Sequence, residues 1–282
     1  MTECFFVSDL HGKIDRYQKL FALIEDEKPG AVFLGGDLLP HAMRKVAGFD
    51  DFALDFLFAR LEELRNRLKN SYPEIFLILG NDDARSEEAK FTEAANKGLF
   101  HYINQKKISF GDYMVFGYCF VPPTPFQLKD WEKYDVSRYI DPGCVHPTEG
   151  FRTTEPDYDP RFATIKTDLE ELILNENPGK AIFLFHSPPY KTALDRAALD
   201  GKMIDHVPLD VHVGSIAIRR FIEDKQPLIT LHGHIHESTR LTGQWSEQMG
   251  KTLSVNASHD GKELSVIKFN PGNLQAISRL IV

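Results

Sequence analysis

Cysteine is scarce, and nothing in its placement would staple a fold. The 282 residues include three, Cys4, Cys119 and Cys144, odd in number and far apart. That excludes a disulfide framework and suits a reducing compartment. Long apolar runs are missing as well. None approaches the roughly 18 residues that a spanning helix needs, so no membrane partner is expected. The N-terminus lacks the basic region and apolar stretch of a secretory leader. A cytoplasmic protein is the default expectation. Positive charge is in deficit, with 33 Lys and Arg against 41 Asp and Glu and a net charge of −8. An acidic chain with no basic stripe argues against nucleic acid as a partner, because Lys and Arg supply the contacts to phosphate backbones. It leaves room for a small anionic substrate held by metal. Internal repeats and low-complexity segments are absent too.

What remains is ordinary globular material, 42% hydrophobic and 26% charged, enough for a core of normal size. The length fits a single domain, residues 1–282, that carries an insertion. The early chain alternates apolar runs with helical patterns. Strands are expected at Cys4 to Val7, Ala31 to Leu34 and Ile75 to Leu79. Helices are expected at Lys13 to Glu27, Phe52 to Leu68 and Arg85 to Asn96. In the second helix Leu54, Leu57, Phe58, Leu61 and Leu64 recur at helical spacing. The aromatic run Phe49, Phe52, Phe56 and Phe58 reads as core, and Glu87-Glu88 as a solvated helix face.

Residues 120–160 break this rhythm with seven prolines, many aromatics and no period. They read as an irregular insertion over one edge of the domain, and a loop of that length is usually functional. The rhythm then returns. Phe162 to Leu174 and Ser215 to Glu223 read as helices, Ala181 to Phe185 and Leu228 to Leu231 as strands. Short β-like runs close the chain near Leu253–Val255, Leu264–Phe269 and Ala276–Val282, where antiparallel pairing is expected. The whole argues for a layered α/β sheet.

Five of these strands run straight into metal-type residues. Asp9 and His11 follow the first and Gly36-Asp37 the second. Gly80-Asn81-Asp82-Asp83 follows the third, His186 the fourth, and Gly233-His234-Ile235-His236 the fifth. Ligands of open α/β sheets bind beyond the carboxyl ends of the strands, so the five ends can converge. The inventory is Asp9, His11, Asp37, Asn81, His186, His234 and His236. Mixed carboxylate and imidazole donors suit Mn, Fe, Zn or Ni better than Ca or Mg, with Mn favoured. Seven donors exceed one tetrahedral ion. With one bridging carboxylate they make two sets of four, which points to two divalent ions. His232 is expected to face away from its neighbours by strand alternation.

The series Asp9-x-His11, Gly36-Asp37, Gly80-Asn81-x-Asp83, His186 and Gly233-His234-x-His236 resembles the calcineurin-like metallophosphoesterase superfamily. The resemblance spans about residues 5–237 with all five motifs in order. It implies a four-layer αββα sandwich of two mixed β-sheets flanked by helices. It implies that Asp9, His11 and His236 hold one ion, that Asn81, His186 and His234 hold the other, and that Asp37 bridges them. The implied reaction is hydrolysis of a phosphomonoester or phosphodiester by attack of a metal-bridging hydroxide on phosphorus. A small phosphorylated molecule or nucleotide is the expected substrate. The sequence favours no oligomeric state.

One position departs from the pattern. The family usually carries Gly-Asn-His-Asp or Gly-Asn-His-Glu, and that His is assigned to protonate the leaving group. Here the position is Asp82. A carboxylate beside two dications is held ionised and makes a poor general acid. The chain would then favour leaving groups that need little protonation. Alternatively His212, just before a helix whose N-terminus could hold an anion, fills the gap. His146 and His41 are weaker candidates. Asp82 could also mark a protein-binding scaffold of the same fold with a weakened site, although a scaffold has no chemical use for all seven donors.

Overall fold

The computed structural model describes residues 3–41, 47–173 and 176–282. In chain order the elements are β1 (Cys4–Val7), α1 (Ile14–Glu27), β2 (Ala31–Gly35), α2 (Ala59–Leu68), β3 (Glu74–Ile78), α3 (Glu88–Asn96), β4 (His101–Tyr102), β5 (Lys106–Phe110) and β6 (Tyr113–Tyr118). After the insertion come α4 (Ile165–Leu172), β7 (Ala181–Phe185), the hairpin β8 (Met203–Ile204) and β9 (Val207–Pro208), α5 (Ile216–Lys225) and β10 (Ile229–His232). The chain closes with α6 (Ser238–Thr242), β11 (Ser246–Met249), β12 (Thr252–Asn256), β13 (Ser265–Phe269) and β14 (Ser278–Ile281).

Two six-stranded sheets stack face to face, in the orders β14-β13-β1-β2-β3-β4 and β11-β12-β10-β7-β6-β5. Strands β1 to β4 run parallel, as do β6, β7, β10 and β12, with antiparallel strands at the margins. The central strands are buried on both faces, which is why they read as unbroken apolar runs. Phe110 of one sheet meets Phe33 and Phe76 of the other in the shared core. On the outer faces, α1 packs on α2, and α4 packs on α5. Phe183 and Phe185 of β7 meet Phe221 of α5. This is the expected αββα order of layers. Among the described residues no helix is long and apolar enough to cross a membrane.

Several expectations shift. Phe52–Phe58 is π-helical, with Asp51 capping Leu54 N–H, and the α-helix begins at Ala59. The wider turn takes Leu54 off the buried stripe, leaving it 49% exposed. Phe52, Phe56 and Phe58 are core as expected, with Phe52 and Phe56 around Tyr17. Glu87 and Glu88 are not a solvated face. They pair with Lys90 and Arg85, and Glu88 accepts from the Tyr102 hydroxyl. Helix α4 starts three residues later than expected, because Thr164 caps it through Thr167 N–H. Leu174, the expected end of that helix, lies outside the described residues. Strands β4, β5, β6, β8, β9 and β11 carried no expectation.

The insertion contains no helix or long strand among its described residues, yet it has a polar core of its own. Lys129, Asp130, Trp131 and Glu132 are fully buried. Asp130 accepts from Arg85 N–H and from the backbone and hydroxyl of Thr153. Lys133 sits between the rings of Phe120 and Tyr158 and pairs with Asp168. Trp131 Nε1 donates to Asp83 O at 2.8 Å. The insertion is thus tied to the loop after β3 and to α4. A side chain at Gly143 would collide with Ile204, so the insertion also touches the β8–β9 hairpin.

Candidate metal centre

The parallel strands of both sheets end at one place, and backbone bonds lace the loops that follow. His11 N–H donates to Asp37 O, Asp9 N–H to Gly36 O, Gly233 N–H to His186 O and Ala257 N–H to His232 O. The two sheets join directly where His234 N–H donates to the Asp9 carboxylate at 3.1 Å. Asp9, His11, Asp37 and His234 all take left-handed backbone angles, with φ of 58°, 47°, 51° and 72°. Each costs on the order of 1 kcal/mol for a residue with a Cβ, and such strain gathers at functional sites. Gly36 turns the chain with φ +91°. Gly80 serves close approach instead of a turn, since a Cβ there would strike Asp37 Oδ1 and lie 2.6 Å from His186 Cε1.

The donor atoms fall into two groups. Asp9, His11, Asp37 and His236 form one, and Asp37, His186 and His234 the other, each within 4.8 Å, with Asp37 common to both. Nε2 of His11 and Nε2 of His236 are 3.0 Å apart, and the latter is 3.2 Å from Asp9 Oδ1. Asn81 Oδ1 lies 3.0 Å from His186 Nε2 and so joins the second group. The structure thus brings all seven expected donors together.

The chemistry of this donor set fits a cation. His186 Nδ1 donates to Gly35 O at 2.8 Å, so a neutral ring carries a bare lone pair at Nε2. That lone pair faces Asn81 Oδ1 at 3.0 Å and Asp37 Oδ2 at 3.4 Å, both acceptors. Three acceptors converging without a donor require a proton or a metal ion between them. With protons alone to balance the carboxylates, burial works against a charged His186, yet Asp37 and Asp9 prevail and raise it to about 9. His11 likewise rises to about 9 against its burial, through Asp82, Asp37 and Asp9. Burial also opposes ionisation of Asp37, but His186 and His11 bring it down to about 2. His234 moves the other way, to about 3, through burial and the neighbouring His186. Two ionised carboxylates among four imidazoles are matched to divalent ions, whose binding would displace the ring protons.

Asp82 lies beside two histidines. One carboxylate oxygen is 3.4 Å from His11 Nδ1 and the other 3.4 Å from His41 Nε2. Its N–H donates to Asp37 Oδ1 at 2.8 Å. A carboxylate on the far nitrogen of a metal-facing His fixes its tautomer and aim, which suits Asp82 to orienting His11. The helix N-terminus after His212 holds no room for an anion. The Asp135 carboxylate already accepts from Ser215 Oγ, Ile216 N–H and Ala217 N–H. His146 bonds the Tyr134 hydroxyl within the insertion. His232 faces away from the centre as expected, donating to Ser187 O and stacked on Phe185.

Ser258 and Arg16 escaped the sequence reading, and Asp83 entered it only as part of a motif, with no role. Ser258 Oγ donates to Asp9 Oδ2 at 2.6 Å. Arg16 holds Asp9 O at 2.7 Å. The Asp83 carboxylate accepts from Leu38, Leu39 and Gly80 N–H and clamps the β2 and β3 loops together. Ser258 follows β12 in the same strand-then-polar pattern as the other five, so a sixth strand end was open to notice. Ser258→Ala is expected to weaken metal affinity roughly 10- to 100-fold, as loss of an outer partner does. Titration calorimetry with Mn checks this, and unchanged affinity would remove Ser258 from the site.

Fold and site together define an αββα sandwich with a composite Asp/Asn/His centre at the strand ends of both sheets. The chain belongs to the calcineurin-like phosphoesterases, whose family model matches residues 4–238. The uncharacterized protein MJ1162 of Methanocaldococcus jannaschii is 42% identical over 82 residues, 28% of this chain. The match spans 32% of that relative's length. Among solved structures, TT1561 of Thermus thermophilus aligns over 99% of this chain and 98% of its own, with a TM-score of 0.57 and 16% identity. That likeness is one of fold.

Proposed function

We propose that the chain hydrolyses a small phosphomonoester or phosphodiester, such as a nucleotide, at a dinuclear metal centre. The observation that carries this reading is the pair of donor groups that share Asp37. Asp9, His11 and His236 would hold one ion, Asn81, His186 and His234 the other, and Asp37 both. When bound, two divalent transition-metal ions, with Mn favoured, would supply hydroxide at neutral pH and offset charge on the phosphoryl oxygens. The chain's own work is to place the donors. Ser258 and His234 N–H hold Asp9, Asp82 N–H holds Asp37, and Gly35 O aims His186. A small substrate is favoured by the acidic charge. A cytoplasmic setting belongs to the same reading and rests on cysteine usage. A scaffold role would leave these strained, laced donors without a purpose.

Elemental analysis is expected to find about two transition-metal ions per chain after reconstitution, by analogy with other two-metal hydrolases. Hydrolysis of bis-nitrophenyl or nitrophenyl phosphate should follow the metal, vanishing on chelation and returning with Mn. Two ions with no turnover of any phosphoester would favour the scaffold. No metal after reconstitution would end the proposal.

A further inference from the structure

We propose that His212, oriented by Asp195, protonates the oxygen of the leaving group. This rests on the phosphoesterase reading and answers the question that Asp82 leaves open, since Asp82 is engaged by His11 and His41.

Asp195 is fully buried. Its carboxylate accepts from Lys191 N–H at 2.9 Å, Thr192 N–H at 3.0 Å and Gly214 N–H at 3.1 Å. The remaining partner is His212 Nδ1, at 2.7 Å. A carboxylate pinned by three backbone donors cannot swing, so it fixes both the tautomer and the plane of the imidazole. Nε2 then lies on the far side of the ring, and the side chain is 27% exposed. The segment that carries the pair is fastened to the metal-bearing loops on both sides. Ser215 N–H donates to Pro188 O, two residues beyond His186. Ala198 N–H donates to Glu237 Oε1, next to His236. Asn256 Nδ2 donates to Leu194 O, while its Oδ1 holds Ser258 N–H beside Asp9. Arg196 and His212 bridge each other across this strap. No other carboxylate–imidazole pair among the described residues combines such a held acid with a ring outside the donor set.

The step balances. Hydroxide oxygen forms its bond to phosphorus as the bond to the leaving oxygen breaks, and that oxygen takes the Nε2 proton. Imidazolium becomes imidazole and is reprotonated from water. The Asp195 carboxylate accepts from Nδ1–H before and after the transfer and holds the ring in place.

The test is the dependence of rate on the leaving group. Wild-type turnover across substituted phenyl phosphoesters should change little from nitrophenyl to phenyl. His212→Gln, whose amide can still reach Asp195, should lose about 100-fold on the phenyl ester and less than about threefold on the nitrophenyl ester, since general acids contribute on the order of 10²- to 10⁴-fold. Asp195→Asn should tilt the series in the same direction. Equal losses on both esters would mean a structural clip and overturn the assignment. A steep wild-type dependence would overturn it without any variant. Wild-type chain with metal that turns over no phosphoester at all would bring down the phosphoesterase reading itself, an outcome distinct from the other two.

Discussion

Asp37→Asn is expected to abolish turnover, on the order of 10³-fold or more, and to reduce bound metal from about two ions to one or none. The side chain is almost entirely buried and belongs to both donor groups. Its Oδ2 is 3.7 Å from His11 Nε2 and 3.4 Å from His186 Nε2, so it faces both halves of the centre. Asparagine keeps the volume and can still accept from Asp82 N–H, which leaves the fold intact. It removes the negative charge that would offset two dications and replaces one oxygen by an amide nitrogen with no lone pair to share. Elemental analysis paired with nitrophenyl ester kinetics checks the expectation. Two tightly held ions together with a tenth of wild-type activity would show that Asp37 does not bridge.

Lys129→Ala is expected to cost about 3–5 kcal/mol of stability, the effect of stripping one partner from a buried ion pair. Lys129 Nζ bonds Glu132 Oε2 at 2.6 Å and Thr124 O at 2.9 Å, and both charged side chains are fully buried. Burial pushes the Glu132 carboxyl up to about 7, against the pull of Lys129 and Thr124. At pH 8 it is ionised beside Lys129, and without Lys129 it must either stay as an unpaired buried charge or take up a proton, both of which cost stability. Denaturant unfolding at pH 8 measures the loss. The double variant Lys129→Met with Glu132→Leu should recover most of it, because a matched apolar pair removes the desolvation cost. A single variant within about 0.5 kcal/mol of wild type, the range of ordinary surface substitutions, would show that the pair contributes nothing.

These two residues differ in how well the sequence announced them. Asp37 stands after an apolar strand and a glycine, a pattern confined to one short stretch of chain. Asp9, His11, Asn81, His186, His234 and His236 likewise follow apolar strands within a few residues, though only Asn81 and His234 have a glycine directly before them, and the sheet assignments that place them were equally local. Lys129 and Glu132 lie in a run of charges that any hydropathy rule sends to the surface. Their burial follows from partners such as Thr124 within the folded insertion, which no periodicity encodes. The π-helical start of the second long helix was invisible for a related reason. Its register follows from packing around Tyr17 and from the Asp51 cap, whereas residue spacing alone suits an α-helix equally well.

Asp82 shows the limit most clearly. Sequence established that the usual His is replaced, a fact about one position. That its carboxylate lies between His11 and His41 depends on where loops after β1, β2 and β3 come to rest together. By itself the sequence determined the layered α/β class and named the seven candidate donors and their order, because each is written as a strand followed at once by a polar turn. Tertiary structure alone decided that Ser258 reaches Asp9 across 249 positions, that Asp135 fills the α5 N-terminus, and that Asp195 holds His212. The physical reason is that hydrogen bonds between segments remote along the chain leave no period in either. They exist only once two sheets have stacked and brought the ends of their strands to one place.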